Sequence, residues 1–261
     1  MFTAGTAVSL AVMQYNRGVD ASIPRIVFGS SNAGKLAEFR DIFAEKGLAI
    51  ELIPISEFPG TGEIPEIGAT FREIAAEKAR YVASRLHEIA DSAHAEEPSI
   101  GMSAEPPVGA GAKSRICASA FLDMLVLAED SGLCVSALGG WPGIGSRRVA
   151  STDEERLRIL LDKMRGAPEG KRGAEFVCAA AIAGAREVLL EAEGCVRGTI
   201  AFAPRGSGGF GYDPVFYYPP AGKTFGEMSR AEKSLVSHRR RAAEKIADWI
   251  LENAGAPLAS K

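Results

Sequence analysis

The chain has 261 residues, enough for one large domain or two small ones, and at 46 % hydrophobic and 24 % charged residues it has the make-up of a globular protein. Thirty basic against 33 acidic side chains leave a net charge of −3, which excludes bulk electrostatic attraction to nucleic acid or to an anionic membrane surface while allowing a local basic pocket. No apolar run approaches the ~18 residues of a spanning helix.

Residues 1–24 are expected to be a flexible N-terminal extension. Their mildly apolar stretch, Thr6 to Met13, lacks a preceding basic segment, because Arg17 follows it. Structure is expected from Arg25. Ile26-Val27-Phe28 reads as a buried strand running into the turn Gly29-Ser30-Ser31-Asn32. Asn32 is placed to cap a helix carrying Leu36, Phe39 and Phe43 on one face, with Gly47 ending it. Ala49–Ile55 reads as a second strand. Thr70-Phe71-Arg72-Glu73 has the form of a capping box and opens a helix with the face Phe71, Ala75, Ala79, Val82, Leu86 and Ile89.

Ser92–Ala118 is rich in Ala, Gly, Pro, Ser and Glu and has no periodicity, so a mobile insertion is expected there. Leu125–Ala128 is the clearest core strand and is expected to end in Glu129-Asp130-Ser131-Gly132. Thr152–Glu155 reads as another capping box and opens a helix, with Leu157, Leu160, Leu161 and Met164 at helical spacing. Phe176–Ala183 and Glu187–Glu193 read as a hairpin turning at Gly184. A Gly/Pro-rich stretch, Pro204–Pro220, precedes a last helix with Ala242, Ile246, Trp249 and Ile250 on one face, and residues 255–261 are expected to be a tail. Strands and helices alternate and a hairpin follows, which predicts an α/β fold built on a mixed sheet, with residues 25–254 forming one domain.

Four scattered cysteines without a C-x-x-C pair, and three unclustered histidines, exclude a disulfide framework and a zinc site and fit a reducing, cytoplasmic setting. Any metal is expected to be a hard cation on carboxylates. Gly29–Lys35 matches G-x-x-x-x-G-K, but Leu36 stands where a P-loop needs Ser or Thr to hold magnesium. The strand–turn–helix still offers free N–H groups, a positive dipole end and the Lys35 ammonium, so an anion site and an ordinary capped turn both stand at this point. Gly206–Gly211 matches G-x-G-x-x-G but leads into Tyr212-Asp213-Pro214 rather than a helix, so a dinucleotide fold is excluded. Glu129 and Asp130 are candidate metal or water-activating carboxylates, with Glu66 a further one. Lys233, Ser237, His238, Arg239, Arg240 and Arg241 form a basic cluster at a helix start.

Seven motifs then occur in register: Ser30-x-Asn32-x-x-Lys35, Thr70-Phe71-x-Glu73, Glu129-Asp130-Ser131-Gly132-Leu133, Leu138-Gly139-Gly140-x-Pro142-Gly143, Gly209-Phe210-Gly211-Tyr212-Asp213-Pro214, Lys223-Thr224-Phe225 and Ser237-His238-Arg239. Together they resemble the Ham1 / inosine triphosphate pyrophosphatase family over Arg25 to Leu251. The resemblance implies a mixed sheet in two lobes around a nucleotide cleft, a homodimer, and magnesium-dependent hydrolysis of non-standard purine nucleoside triphosphates (ITP, dITP, XTP) to monophosphate and pyrophosphate. It implies that Ser30, Asn32 and Lys35 hold the triphosphate, that Asp130 binds magnesium and helps activate water with Glu66 as a weaker metal candidate, and that Ser131 touches the nucleotide. Phe210, Gly211, Tyr212 and Asp213 would wall the base, with Lys233, His238 and Arg239 at its polar edge.

Two positions depart from the family pattern. Ile74 stands where Asn is usual, and Ser146-Arg147-Arg148-Val149 stands for Ser-Ala-Arg-Tyr. Neither is expected to touch the metal or phosphate groups. A Maf-like pyrophosphatase of different base preference would lack the combination of Phe-Gly-Tyr-Asp and Ser-His-Arg. A non-catalytic nucleotide sensor would have replaced Asp130.

Overall fold

The computed structural model describes residues 25–58, 60–95 and 125–254. The expected extension 1–24, residues 96–118 of the expected insertion, and the tail 255–261 lie outside them.

Seven strands form one mixed sheet: β1 (Arg25–Phe28), β2 (Glu51–Pro54), β3 (Leu125–Val135), β4 (Gly173–Ala183), β5 (Val188–Ile200), β6 (Phe216–Tyr218) and β7 (Lys223–Thr224). Their spatial order is β2-β1-β3-β4-β5-β6-β7. β1 runs parallel to both neighbours, and every later pairing is antiparallel. The helices are α1 (Ala33–Glu45), α2 (Phe71–Ala95), α3 (Asp153–Lys163), α4 (Arg230–Val236) and α5 (His238–Ala254). Among the described residues no helix is long and apolar enough to cross a membrane.

Each sheet face is covered by helices whose apolar stripes were visible in the spacing. Phe39, Ile42 and Phe43 of α1 and Ala243, Ile246 and Ala247 of α5 pack on Leu125 and Leu127 of β3. Ala75, Ala79, Val82 and Leu86 of α2 pack on Val126 and Ala128, the alternate residues of the same strand. A third cluster gathers Leu133, Val135, Leu160, Phe176, Val196, Phe216 and Phe225 around the far halves of β3 to β5.

The structure corrects several boundaries. β3 does not stop at Ala128: it carries Glu129 and Asp130 in its middle and pairs with β4 from Val126↔Ala183 to Val135↔Ala174. The charges do not end the strand because both are buried and paired to cations. β1 and β2 end there, with Phe28 opposite Leu127 on one side and Pro54 on the other. The two carboxylates therefore sit just past the carboxyl ends of the parallel strands, the edge where open α/β sheets bind ligands. β2 is shorter than expected, giving way to a 3-10 turn at Ile55–Glu57. α2 continues through Ala95, so the first four residues of the expected insertion are helical. β5 runs on to Ile200, past two glycines. At Gly194 a Cβ would lie 2.3 Å from the His238 carbonyl oxygen, so the bare backbone lets α5 rest directly on the strand. The Gly/Pro-rich stretch contains β6.

Candidate active site

Asn32 is extended and its side chain accepts from the Lys35 N–H at 3.2 Å, which fixes the start of α1 beside β3. The Ser30 hydroxyl accepts from the Asn32 N–H at 3.3 Å. Lys35 turns inward and forms an ion pair with Glu129. Arg239, on the first turn of α5, approaches Glu129 from the other side, its Nε 3.7 Å from Oε2. The same guanidinium donates to Glu38 Oε2 at 2.5 Å and to Ser131 Oγ at 3.0 Å. Burial alone would raise the Glu129 carboxyl, but Lys35 and Arg239 outweigh it and hold the pKa down to about 2.

The opposite wall is a second charged group in an aromatic setting. Lys233 Nζ lies 2.5 Å from Asp213 Oδ2, 4.7 Å from the Phe210 ring centroid and 5.7 Å from that of Phe225. Asp213 also accepts from the Phe210 N–H at 2.8 Å, closing the Gly-Phe-Gly-Tyr-Asp loop on itself. Gly211 N–H donates to Asp153 Oδ2 at 2.7 Å, and Tyr212 donates its hydroxyl to the Ser146 carbonyl at 2.9 Å. The His238 ring stacks on Phe176 at 4.9 Å and 13°. Burial, followed by the charges of Arg239, Lys233 and Lys35, pushes the His238 pKa well below its ordinary value. The imidazole is therefore neutral at physiological pH. Its Nδ1 is buried and has no hydrogen-bond partner among the described residues.

Between these walls lies a cleft of about 490 Å³. Asn32, Lys35, Ser131, Phe210, Gly211, Tyr212, Asp213, Lys233, His238 and Arg239 all line it, ten of the expected site residues drawn from five separate segments. Ser30 stands behind Asn32 rather than on the lining. Asp130 and Glu66 are also off the lining, on the α2 side of β3. There the Lys78 ammonium holds both, 2.9 Å from Asp130 Oδ1 and 2.9 Å from Glu66 Oε1. Burial raises the Asp130 pKa despite Lys78, whereas for Glu66 the Lys78 hydrogen bond and charge outweigh burial and lower it.

The two carboxylates converge on the Lys78 ammonium, and the oxygens they do not give to it are the hard donors a divalent ion would use. Magnesium takes one or two protein carboxylates and completes its shell with water and substrate phosphate. Among the described residues no group of three or more His, Cys, Asp or Glu is assembled.

Lys78 is the residue that reading the sequence missed. The signal was present: Phe71, Ala75, Lys78 and Val82 fall on one helical stripe, and a lysine on an apolar face needs a buried partner. Glu38 was missed as well, being indistinguishable in sequence from any solvated helix glutamate. In the Ser146–Val149 segment, Arg147, which stands for the usual alanine, lines the cleft, and Arg148, where the pattern also has arginine, pairs with Glu66. Ile74 is 1 % exposed and simply joins the packing.

The Ham1 family model matches residues 26–100 and 94–249. A dITP/XTP pyrophosphatase of Geobacillus kaustophilus is 38 % identical over 224 residues, spanning 85 % of this chain and 91 % of that one. The solved HAM1 protein of Coxiella burnetii superposes with a TM-score of 0.68 at 32 % identity, covering 88 % of this chain and 100 % of that one. The Ham1 protein of Staphylococcus aureus gives 0.64 at 32 % identity, over 87 % and 98 %. With agreement along nearly the whole folded chain in both sequence and architecture, this protein belongs to the Ham1 family.

Proposed function

We propose that this chain hydrolyses non-standard purine nucleoside triphosphates of the ITP, dITP and XTP class to monophosphate and pyrophosphate, with magnesium, removing them from the nucleotide pool. The observation that carries the reading is the join between two compartments. A base-sized aromatic cleft with a lysine and a helix N-terminus at one end abuts the Glu66–Lys78–Asp130 cluster through the Asp130–Ser131 peptide. The names of the relatives support the substrate class.

The α1 N-terminus and Lys35 receive the phosphate chain, because free N–H groups and the helix dipole favour an anion there. Glu129 holds Lys35 in place without lining the cleft. Phe210 and Phe176 bound the base, and the neutral His238 and the Lys233 ammonium face its polar edge. A 6-oxo group accepts from these donors, whereas the 6-amino group of adenine leaves a buried donor unpaired, a cost of about 1–3 kcal/mol. Asp130, ionised and positioned by Lys78, accepts a proton from the attacking water as it adds to the α-phosphorus and pyrophosphate leaves. Magnesium, when bound on Asp130 and Glu66, supplies charge neutralisation for the phosphates and a lower pKa for the attacking water.

A panel of nucleoside triphosphates assayed for pyrophosphate release, with and without magnesium, tests this. ITP, dITP and XTP are expected to be cleaved at least about tenfold more efficiently than ATP, from loss of one buried donor contact. Release of orthophosphate instead of pyrophosphate, or equal rates for all purines, sinks it. The homodimer and cytoplasmic setting that go with the family reading are checked by sedimentation and by cell fractionation.

A further inference from the structure

We infer that Arg147 is a phosphate-binding residue of this chain, supplying the positive charge in the cleft that no carboxylate of the described residues offsets. The inference rests on the nucleotide reading above and goes beyond it by naming the residue.

Five cations line the cleft: Lys35, Arg147, Arg156, Lys233 and Arg239. Four of them are committed. Lys35 is paired with Glu129, Arg156 with Asp153, Lys233 with Asp213, and Arg239 with Glu38 and, more distantly, Glu129. Four carboxylates thus balance four cations. The neighbouring cluster is balanced too, with Lys78 and Arg148 against Glu66 and Asp130. Arg147 alone among these has no acidic or hydrogen-bonding side-chain partner within the described residues, and its side chain is exposed. A polyphosphate brings several negative charges into this site. Every other cation must share its charge with a carboxylate already in contact, so Arg147 is the one able to give an undivided charge.

Its place fits the phosphate end of a nucleotide. Arg147 sits in the 3-10 turn Gly143–Val149. On one side Ser146 anchors this turn to β3, its hydroxyl accepting from Leu133 N–H at 2.9 Å while its carbonyl accepts from Tyr212 of the aromatic wall. On the other side Arg148 reaches Glu66. The Arg147 carbonyl is itself held by Arg156 Nε at 3.2 Å. The backbone is fixed at the seam between aromatic wall and carboxylate cluster, and the guanidinium is left free. At Gly132, facing this turn, a Cβ would lie 2.4 Å from Ser146 Oγ and 2.5 Å from the Gly143 carbonyl, so the turn is seated as close to the strand as backbone allows. A guanidinium fork matches phosphate oxygens in geometry as well as charge, while an uncharged base carbonyl has no need of an unbalanced cation. The usual family pattern has alanine here, so the assignment adds a charge that the pattern does not supply.

The test is calorimetric titration of the full-length chain with inorganic tripolyphosphate, without magnesium and at two salt concentrations, together with kinetics on ITP and IDP. Arg147→Ala is expected to weaken tripolyphosphate binding about 10- to 100-fold, the worth of one charge-assisted contact, and to flatten its salt dependence. KM for ITP should rise with kcat held, and more than KM for IDP. Arg147→Lys should recover most of the affinity, and neither variant should shift the melting temperature. Equal tripolyphosphate affinity of wild type and Arg147→Ala, or no binding by either, overturns the inference whatever the substrate proves to be. Failure of the wild type to release pyrophosphate from ITP overturns the functional reading instead and leaves the tripolyphosphate comparison decisive for Arg147.

Discussion

Glu129 and Asp130 are consecutive residues of β3 that serve opposite faces of the sheet: Glu129 is gripped by Lys35 and Arg239 beneath the cleft, Asp130 by Lys78 from α2. The two-residue period of a strand makes this division unavoidable. It gives the pair different work, and their pKa values move in opposite directions, Glu129 down to about 2 and Asp130 upward.

Glu129→Gln is expected to destabilise the protein by about 1–3 kcal/mol, because half-buried Lys35 loses its carboxylate and buried Arg239 is left with Glu38 alone. The sign of its pH dependence follows from the lowered pKa. The contribution is fully present above the ordinary glutamate range, near pH 4.5, and is lost as pH falls toward about 2. Urea unfolding of wild type and variant should therefore differ most above pH 4.5 and converge below it. A gap that stayed constant down to pH 2 would mean the charge of Glu129 is not what stabilises the fold.

Asp130→Asn is expected to abolish turnover, lowering kcat by about 10²–10⁴, with the fold retained, since Lys78 keeps Glu66 as a partner. Burial raises the Asp130 pKa and Lys78 restrains the rise. Lys78→Met should accordingly move the acid limb of the kcat/KM profile to higher pH. An unmoved limb in that variant would show that another group sets it.

The neutral state of His238 has its own signature. Because burial and three nearby cations keep its pKa well below 6.5, the ITP-to-ATP ratio of kcat/KM should stay flat between pH 6 and 8. A break near pH 6.5 that disappears in His238→Gln would place a titrating imidazole at the base edge and contradict this reading.

Gly194→Ala should lower stability by about 1–3 kcal/mol and depress activity as well. The added Cβ would meet the His238 carbonyl at 2.3 Å and the Ala242 nitrogen at 2.5 Å, forcing away the first turn of α5 that carries His238 and Arg239. Thermal melting and ITP kinetics on the one variant check both; a normal melting temperature would show that the helix yields freely.

The sequence by itself determined the elements whose signals are local. The apolar stripes of α1 and α5, the Asn32 and Thr152 caps, the Gly184 hairpin and the mixed α/β class all follow from spacing and turn chemistry within a few residues. It also placed ten residues that line one cleft, because the motifs carrying them stand in order along the chain. What it did not determine was who pairs with whom. Glu129 and Asp130 read as the end of the core strand, and only Lys35, Arg239 and Lys78, arriving from three different helices, make their burial in its middle tolerable. The partners of Lys78 and Glu38 likewise come from tertiary contacts, across 52 residues for Lys78–Asp130 and 201 for Arg239–Glu38, and Arg147 has none among the described residues. Periodicity reports which face of an element is buried. Charge compensation depends on which elements meet there, and that is decided only when the sheet and its helices close around the site.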